Sequence, residues 1–167
     1  MIRVLSPADA NDYLRLRREA LEEAPFAFGS SPLDDHAGSL DFVRTAIQSP
    51  DQAIFGAFTP DLVGIVGIYR YPSLKEAHKA YLWGLYVKTV HRGAGLGRAL
   101  VETALTFAGT VEGVTQVHLA VTDRAGAAAR LYESLGFVAW GVEPAALRIA
   151  DLEVAERHMM RRIRRQR

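Results

Sequence analysis

Apolar and polar positions follow two rhythms along this chain, and the switches between them mark the elements. "MIRVL" reads as a short strand. From Ser6, "SPADANDYLRLRREALEEA" puts Tyr13, Leu16 and Ala20 on one helical face, with Ser6 as N-cap and Pro7 at the first helical position. A loop rich in Pro, Gly and Ser follows, "PFAFGSSPLDDHAG", after which Ser39 caps a second helix whose Phe42, Val43, Ala46 and Ile47 face inward. "AIFGAF", "LVGIVGIYRY" and "AYLWGLYV" are β-branched and aromatic runs, the first two joined by the turn "TPD". Strands this close in sequence predict an antiparallel meander.

The period then changes. Leu96, Leu100, Ala104 and Phe107 recur every three to four residues, so "GLGRALVETALTFAG" predicts a helix ending near Gly109. "VTQVHLAV" alternates Val117, Leu119 and Val121 as a strand does, and "AGAAARLYESLG" is a helix closed by Gly136. "FVAWGV" and "EVAERHMMRRI" supply two last strands. The order β-α-α-β-β-β-α-β-α-β-β predicts an α/β (mixed α+β) fold, a central sheet of about seven strands with four helices. There is no internal repeat or linker, so residues 1–167 are expected to form one domain.

Composition narrows the class. The 167 residues are 49% hydrophobic and 23% charged, enough for a core and a soluble surface. No apolar run approaches the roughly 18 residues of a membrane span, and the N-terminus lacks the apolar block of a signal peptide. No cysteine is present, which excludes disulfides, thiolate nucleophiles and zinc–cysteine sites. A cytoplasmic protein is the default expectation. The net charge of +1 conceals six arginines and no acid between Arg157 and Arg167. That tail reads as a last strand ending in a solvated stub; with no aromatic among the arginines to stack on a base, a nucleic-acid role is disfavoured.

The chemistry concentrates in "HRGAGLGRAL", residues 91–100, between an apolar strand and a helix start. Glycines there let a ligand reach free N–H groups at the positive end of the helix dipole, while Arg92 and Arg98 add charge suited to phosphate oxygens. The stretch reads as a diphosphate cradle. A P-loop is excluded because no lysine follows Gly97. A dinucleotide fingerprint fits poorly: Gly93, Gly95 and Gly97 give G-x-G-x-G, and Glu112 falls in a loop rather than at a strand end. Glycines serving only tight helix packing are the structural alternative.

Arg92-Gly93-Ala94-Gly95-Leu96-Gly97 resembles the R/Q-x-x-G-x-G/A loop on which GCN5-related N-acetyltransferases bind the pyrophosphate of acetyl-CoA. "LWGLYVKTVHRGAGLGRALV" resembles that family's fourth strand running into the loop, and "AARLYESLGF" its next signature helix. The element order is similar over nearly the whole chain; the first 50 residues match only as two helices and a loop.

The resemblance implies an enzyme moving acetyl from acetyl-CoA to a primary amine. It implies backbone contacts to the pantetheine arm from Leu85, Tyr86 and Val87, and a cradle from Arg92, Gly93, Ala94, Gly95, Leu96, Gly97 and Arg98, with Ala128 and Tyr132 lining the same site. Tyr132 takes the position of the family's general acid; its phenol suits a departing thiolate. Ala125 stands where the family often has a pantetheine-contacting asparagine. The strand "AYLWGLYV" lacks the carboxylate that many relatives use as base, leaving His78, Glu143 or a water chain. His36, His91, His118 and His158 show no ligand spacing, so no metal is expected. The acceptor is expected under the loop between the first two helices, with Phe26 and Phe28 as walls and Asp34 and Asp35 as partners for a cationic amine. Its identity stays open among an amino acid, a polyamine, a small drug or toxin and a protein N-terminus, and a homodimer is compatible. The alternative on the same fold is a non-catalytic acetyl-CoA sensor or interaction module.

Overall fold

Element boundaries in the computed structural model, which describes residues 1–163, follow the changes of period. Seven strands, β1 (Ile2–Val4), β2 (Gln52–Phe58), β3 (Leu62–Arg70), β4 (Lys79–Val87), β5 (Gln116–Thr122), β6 (Val138–Ile149) and β7 (Leu152–Arg162), form one sheet. Its order is β1-β2-β3-β4-β5-β7-β6. The first four strands pair antiparallel, as the meander predicts, and among the described residues β4–β5 is the one parallel pair. Four α-helices complete the described fold: α1 (Ala10–Glu23), α2 (Leu40–Gln48), α3 (Leu96–Thr110) and α4 (Gly126–Ser134).

The middle of the sheet is buried on both faces, whereas edge strand β6 is largely exposed. On one face, α1 and α2 lay Tyr13, Leu16, Ala20, Val43 and Ala46 against Ile54 and Ile65. On the other, Leu100, Val101 and Ala104 of α3 pack with Val117, Leu119 and Met159. Strands β2 and β3 lie between these layers, which is why they read as continuous apolar runs rather than alternating ones.

Two local features differ from expectation. Ser6 opens a short 3-10 turn, Pro7–Asp9, and α1 begins only at Ala10; the Asp9 carboxylate accepts from the Ser6 N–H and hydroxyl, 2.7 Å each. Ser39 does cap α2, its hydroxyl accepting from the Phe42 N–H at 3.1 Å. Strand β6 runs past Val142 to Ile149, although Pro144 interrupts it. As a sheet edge, β6 tolerates a residue without an N–H, and its pairing with β7 shifts register between Glu143 and Leu147. As expected for a last strand, Arg157, Arg161 and Arg162 lie in β7, and Arg157 pairs with Glu133 of α4 at 3.1 Å; the rest of the basic tail falls on residues 164–167, outside the described residues.

A glycine in the meander makes room for an indole. Gly67 of β3 faces Trp83 of β4, and the ring lies across it. A Cβ at Gly67 would stand 2.1 Å from that ring. Gly67→Ala therefore forces the indole away from Phe42, whose ring centre is 5.6 Å off. The expected cost is about 1–3 kcal/mol, read as a lowered urea midpoint; an unchanged midpoint would show that the indole moves freely.

Candidate functional site

Strand β4 loses its parallel partner part-way along. It pairs with β5 only through Lys79–Tyr81 against Gln116–His118. Beyond Tyr81 the two strands diverge. A bulge sits in the diverging stretch: Gly84 and Leu85 together oppose Val66, between the Ile65–Tyr86 and Gly67–Trp83 pairs. Gly84 has φ +67°, a left-handed conformation that favours glycine, and a Cβ there would lie 3.2 Å from Arg17 Nη1. Backbone groups on this side of β4 have no strand partner, and buried N–H and C=O groups must find one.

Two cavities occupy the parting. The larger, about 720 Å³, has Leu85, Tyr86 and Val87 as one wall, and Arg92, Gly93, Gly95, Leu96, Gly97 and Arg98 at the N-terminus of α3 as its floor. Ala128 and Leu131 of α4 close the third side. Ala94 belongs to the same loop but does not line the cavity. Arg92 donates from Nε to the Val87 carbonyl at 2.9 Å, and Arg98 donates to Ser134 Oγ at 2.6 Å. Arg92, Arg98 and Arg124 bring three cations to this cavity against one carboxylate, Glu23.

Glu23 binds the end of α1 to this wall. It accepts from the hydroxyls of Thr89 and Tyr86. The Thr89 bond, then the Tyr86 bond, hold its carboxyl below the usual range. Burial, reinforced by Glu23, raises the Tyr86 phenol above its ordinary range.

The smaller cavity, about 440 Å³, lies under the α1–α2 loop and is walled by Phe28, Phe42, Tyr69, Tyr81 and Trp83. Ala27 and Phe28 line both cavities. Strand β4 passes from one to the other: Tyr81 to Gly84 face the smaller, Leu85 to Val87 the larger. The Thr122 hydroxyl of β5 donates to the Phe26 carbonyl, fastening the loop over the parting.

Several expected acceptor residues stand elsewhere. Asp35 lines the smaller cavity, but both its oxygens accept from Arg17, at 2.9 Å from Nε and 2.9 Å from Nη2, in a pair whose side chains are 6% and 5% exposed. It holds α1 to the loop and is not free for an amine. Asp34 is exposed and accepts from the Ser31 N–H and hydroxyl at 3.0 and 2.8 Å. Phe26 lines the larger cavity, while Phe28 lines both. His78 is exposed at the paired end of β4, its carbonyl accepting from the Thr115 N–H at 2.9 Å, and lines neither cavity. Glu143 is exposed on β6, 3.2 Å from His158 Nε2, and also lines neither. Tyr132, expected to line the cofactor site with Ala128, lines neither cavity; it is 7% exposed in the core cluster, its ring 5.8 Å from Phe137, whereas Ala128 does line the larger cavity.

Arg17, Gly84, Trp83 and Glu156 line the smaller cavity and were not anticipated. Only Arg17 leaves a trace in the sequence: it falls on the inward stripe of α1 beside Tyr13, Leu16 and Ala20, where a lone charge calls for a buried partner.

Comparison with known proteins bears on this geometry. Residues 13–137 match the model of the acetyltransferase (GNAT) family. The chain is 33% identical over 132 residues to mycothiol acetyltransferase of Thermobispora bispora, covering 73% of this chain and 44% of that protein. It spans less than half the length of the curated relatives it matches. Among solved structures, a GNAT-family acetyltransferase from Streptococcus pneumoniae superposes with a TM-score of 0.85 at 23% identity, covering 98% of this chain and 99% of that one. A phosphinothricin acetyltransferase from Sinorhizobium meliloti, solved with acetyl-CoA, gives 0.83 at 16% identity, covering 98% and 88%. At these identities the structures show the fold.

Removing one member of the Arg17–Asp35 pair strands the other charge. Asp35→Ala is expected to cost about 3–5 kcal/mol in urea unfolding, whereas Arg17→Met with Asp35→Leu recovers most of that loss. A single-variant cost below about 1 kcal/mol would mean that water reaches the pair.

Proposed function

Because the chain belongs to the acetyltransferase (GNAT) family, we propose that it moves the acetyl group of acetyl-CoA to a primary amine by direct attack within a ternary complex. The observation that carries this reading is the course of β4. One unpaired strand edge links a cavity floored by a glycine-rich helix N-terminus to a second, aromatic cavity. The larger cavity suits the cofactor: a Cβ built on Gly93 or Gly95 meets nothing within 4 Å, so the space above the loop is open to a ligand. Free N–H groups of α3 with Arg92 and Arg98 would hold a diphosphate there.

Acetyl-CoA supplies an activated thioester when bound, and the chain's own groups do the rest. Backbone groups of Leu85, Tyr86 and Val87 would pair with the extended arm, and an N–H at the bulge would polarise the thioester carbonyl as charge develops on its oxygen. Tyr132 would give its hydroxyl proton to the leaving sulfur. Burial, followed by the neighbouring Tyr81 phenol, raises the Tyr132 phenol above its ordinary range, so the hydroxyl holds its proton before the reaction. With no cysteine in the chain, a thioester-linked acyl-enzyme is not part of the scheme. A sensor that merely bound acetyl-CoA would have no use for the second cavity. The proposed setting is the cytoplasm; among the described residues no helix is long and apolar enough to cross a membrane.

Two sets of variants test this reading. Arg92→Ala removes a charge-assisted contact of about 1.5–3 kcal/mol, and Gly95→Val places a branched side chain at φ +78° in the path of the diphosphate. Both should weaken acetyl-CoA binding in calorimetry; wild-type affinity in both would remove the cradle from the site. Tyr132→Phe keeps the ring and its packing but not the proton. Affinity for acetyl-CoA should hold while kcat falls by about 10²–10⁴, and the deficit should shrink with a donor whose thiol leaves more easily. Unchanged turnover, where chemistry limits the rate, would exclude Tyr132 as the acid.

A further inference from the structure

The smaller cavity carries one carboxylate whose charge nothing on its wall cancels. Arg17 and Asp35 neutralise one another through two hydrogen bonds, and among the described residues Arg17 Nη1 is buried without a partner near the Phe28 and Trp83 rings, whose centres lie 5.2 and 5.6 Å from the guanidinium. Glu156 of β7 also lines the cavity, and among the described residues its side chain makes no hydrogen bond or ion pair. Strand pairing sets it between Thr122 of β5 and Glu143 of β6. The polar atoms of Glu143, Glu156 and His158 lie within 4.8 Å of one another.

We propose that Glu156 docks the ammonium of the acceptor and takes its proton, and that the acceptor is therefore a primary amine on an apolar body without a carboxylate. This rests on the acetyltransferase reading above. Strand β4 has no acid, His78 and Glu143 line neither cavity, and Asp35 is held by Arg17, so among the described residues Glu156 is the unpaired carboxylate on the wall of the smaller cavity. A carboxylate on the acceptor would meet Glu156 with only Arg17, whose charge Asp35 already balances, to offset it among the described residues, whereas a hydrocarbon or aromatic body meets Phe28, Phe42, Tyr69, Tyr81 and Trp83. The titratable or charged groups around Glu156 are Tyr69 and Tyr81 from the meander, Arg17, Asp35 and His36 across the cavity, Glu143 on β6 and His158 on β7. Burial raises its proton affinity above the usual carboxylate range; His158 opposes this and Glu143 adds to it.

The step balances simply. Of the ammonium's three protons, one passes to the Glu156 carboxylate, and exposed Glu143 with His158 offers it a way to solvent. The freed nitrogen lone pair forms the C–N bond as the C–S bond breaks, and sulfur takes the Tyr132 proton. The second ammonium proton restores Tyr132 by way of solvent, and the third stays on the amide.

The test is Glu156→Gln, with phenethylamine and phenylalanine as acceptors and thiol release as the readout. Acetyl-CoA affinity should not change. Near neutral pH, kcat/KM for phenethylamine should fall by about 10²–10⁴, and the deficit should narrow as pH climbs toward the amine's own pKa, where free amine no longer needs a base. The wild type should prefer phenethylamine to phenylalanine by about tenfold or more, and the variant should lose much of that preference because the like charge is gone. If the glutamine variant fails to fold, Glu156→Asp should keep a rate that rises with pH but at a lower plateau; an unaltered profile would overturn the proposal. Wild-type rates in Glu156→Gln, or phenylalanine as the better acceptor, would overturn it and leave the acetyltransferase reading standing. Acetyl-CoA binding without thiol release to phenethylamine would overturn the proposal, and absence of acetyl-CoA binding would overturn the acetyltransferase reading with it.

Discussion

The site depends on β4 and β5 ceasing to pair after Tyr81. A parallel pair in mid-sheet would ordinarily run the length of both strands, because each unpaired N–H or C=O that is buried costs about 1–3 kcal/mol. Here the bulge at Gly84 turns β4 away from its neighbour, and its free edge looks into two cavities instead of a strand. Filling Gly84 with any side chain would force a left-handed residue and press on Arg17. Bulge, helix α1 and open edge are therefore one arrangement.

Two ion networks keep that edge open from the α1 side, and they differ in kind. Glu23 reaches Tyr86 and Thr89 across the solvent-exposed rim, where such contacts orient more than they stabilise. Arg17 and Asp35 are almost fully buried, and their pairing fixes the loop that roofs both cavities. The charge left over is divided between the two spaces. Three arginines face the larger cavity against one glutamate, while the smaller keeps only Glu156 unbalanced among the described residues. A polyanion and an ammonium would each find the opposite sign where they must bind, and fields of this sort also steer encounter.

How much of this could be read from the sequence depended on distance along the chain. The glycine-rich start of α3 was legible because its glycines, its arginines and the helix they precede lie within ten residues. The helices were legible because their periods repeat locally. The smaller cavity was not: Arg17 meets Asp35 across 18 positions, and Glu156 comes to line it only through the order of the sheet. The acids of "PLDDHAG" looked available because a loop sequence does not reveal what its side chains bond. The full length of β6 was hidden in another way. Its hairpin to β7 turns through Ala150 at φ +52°, without the glycine or asparagine that announces such a turn.

The absent acid on β4 and the presence of Glu156 have one topological explanation. Strand β7 enters the sheet between β5 and β6, so the end of the chain returns beside the strand from which β4 has parted. Along β7, Met159 points into the core under α3 and α4, while Glu156 and His158 stand on the other face, the side of the smaller cavity. Alternation thus puts a carboxylate across the opening from β4 without setting one on the strand whose backbone is proposed to hold the thioester arm. Trp83 and Tyr81 of β4 are then free to serve as walls, and Gly67 leaves room for the indole. Dividing the work in this way requires the last strand to be in register with β5, so the chemistry proposed for the acceptor depends on the final hairpin as much as on the cradle.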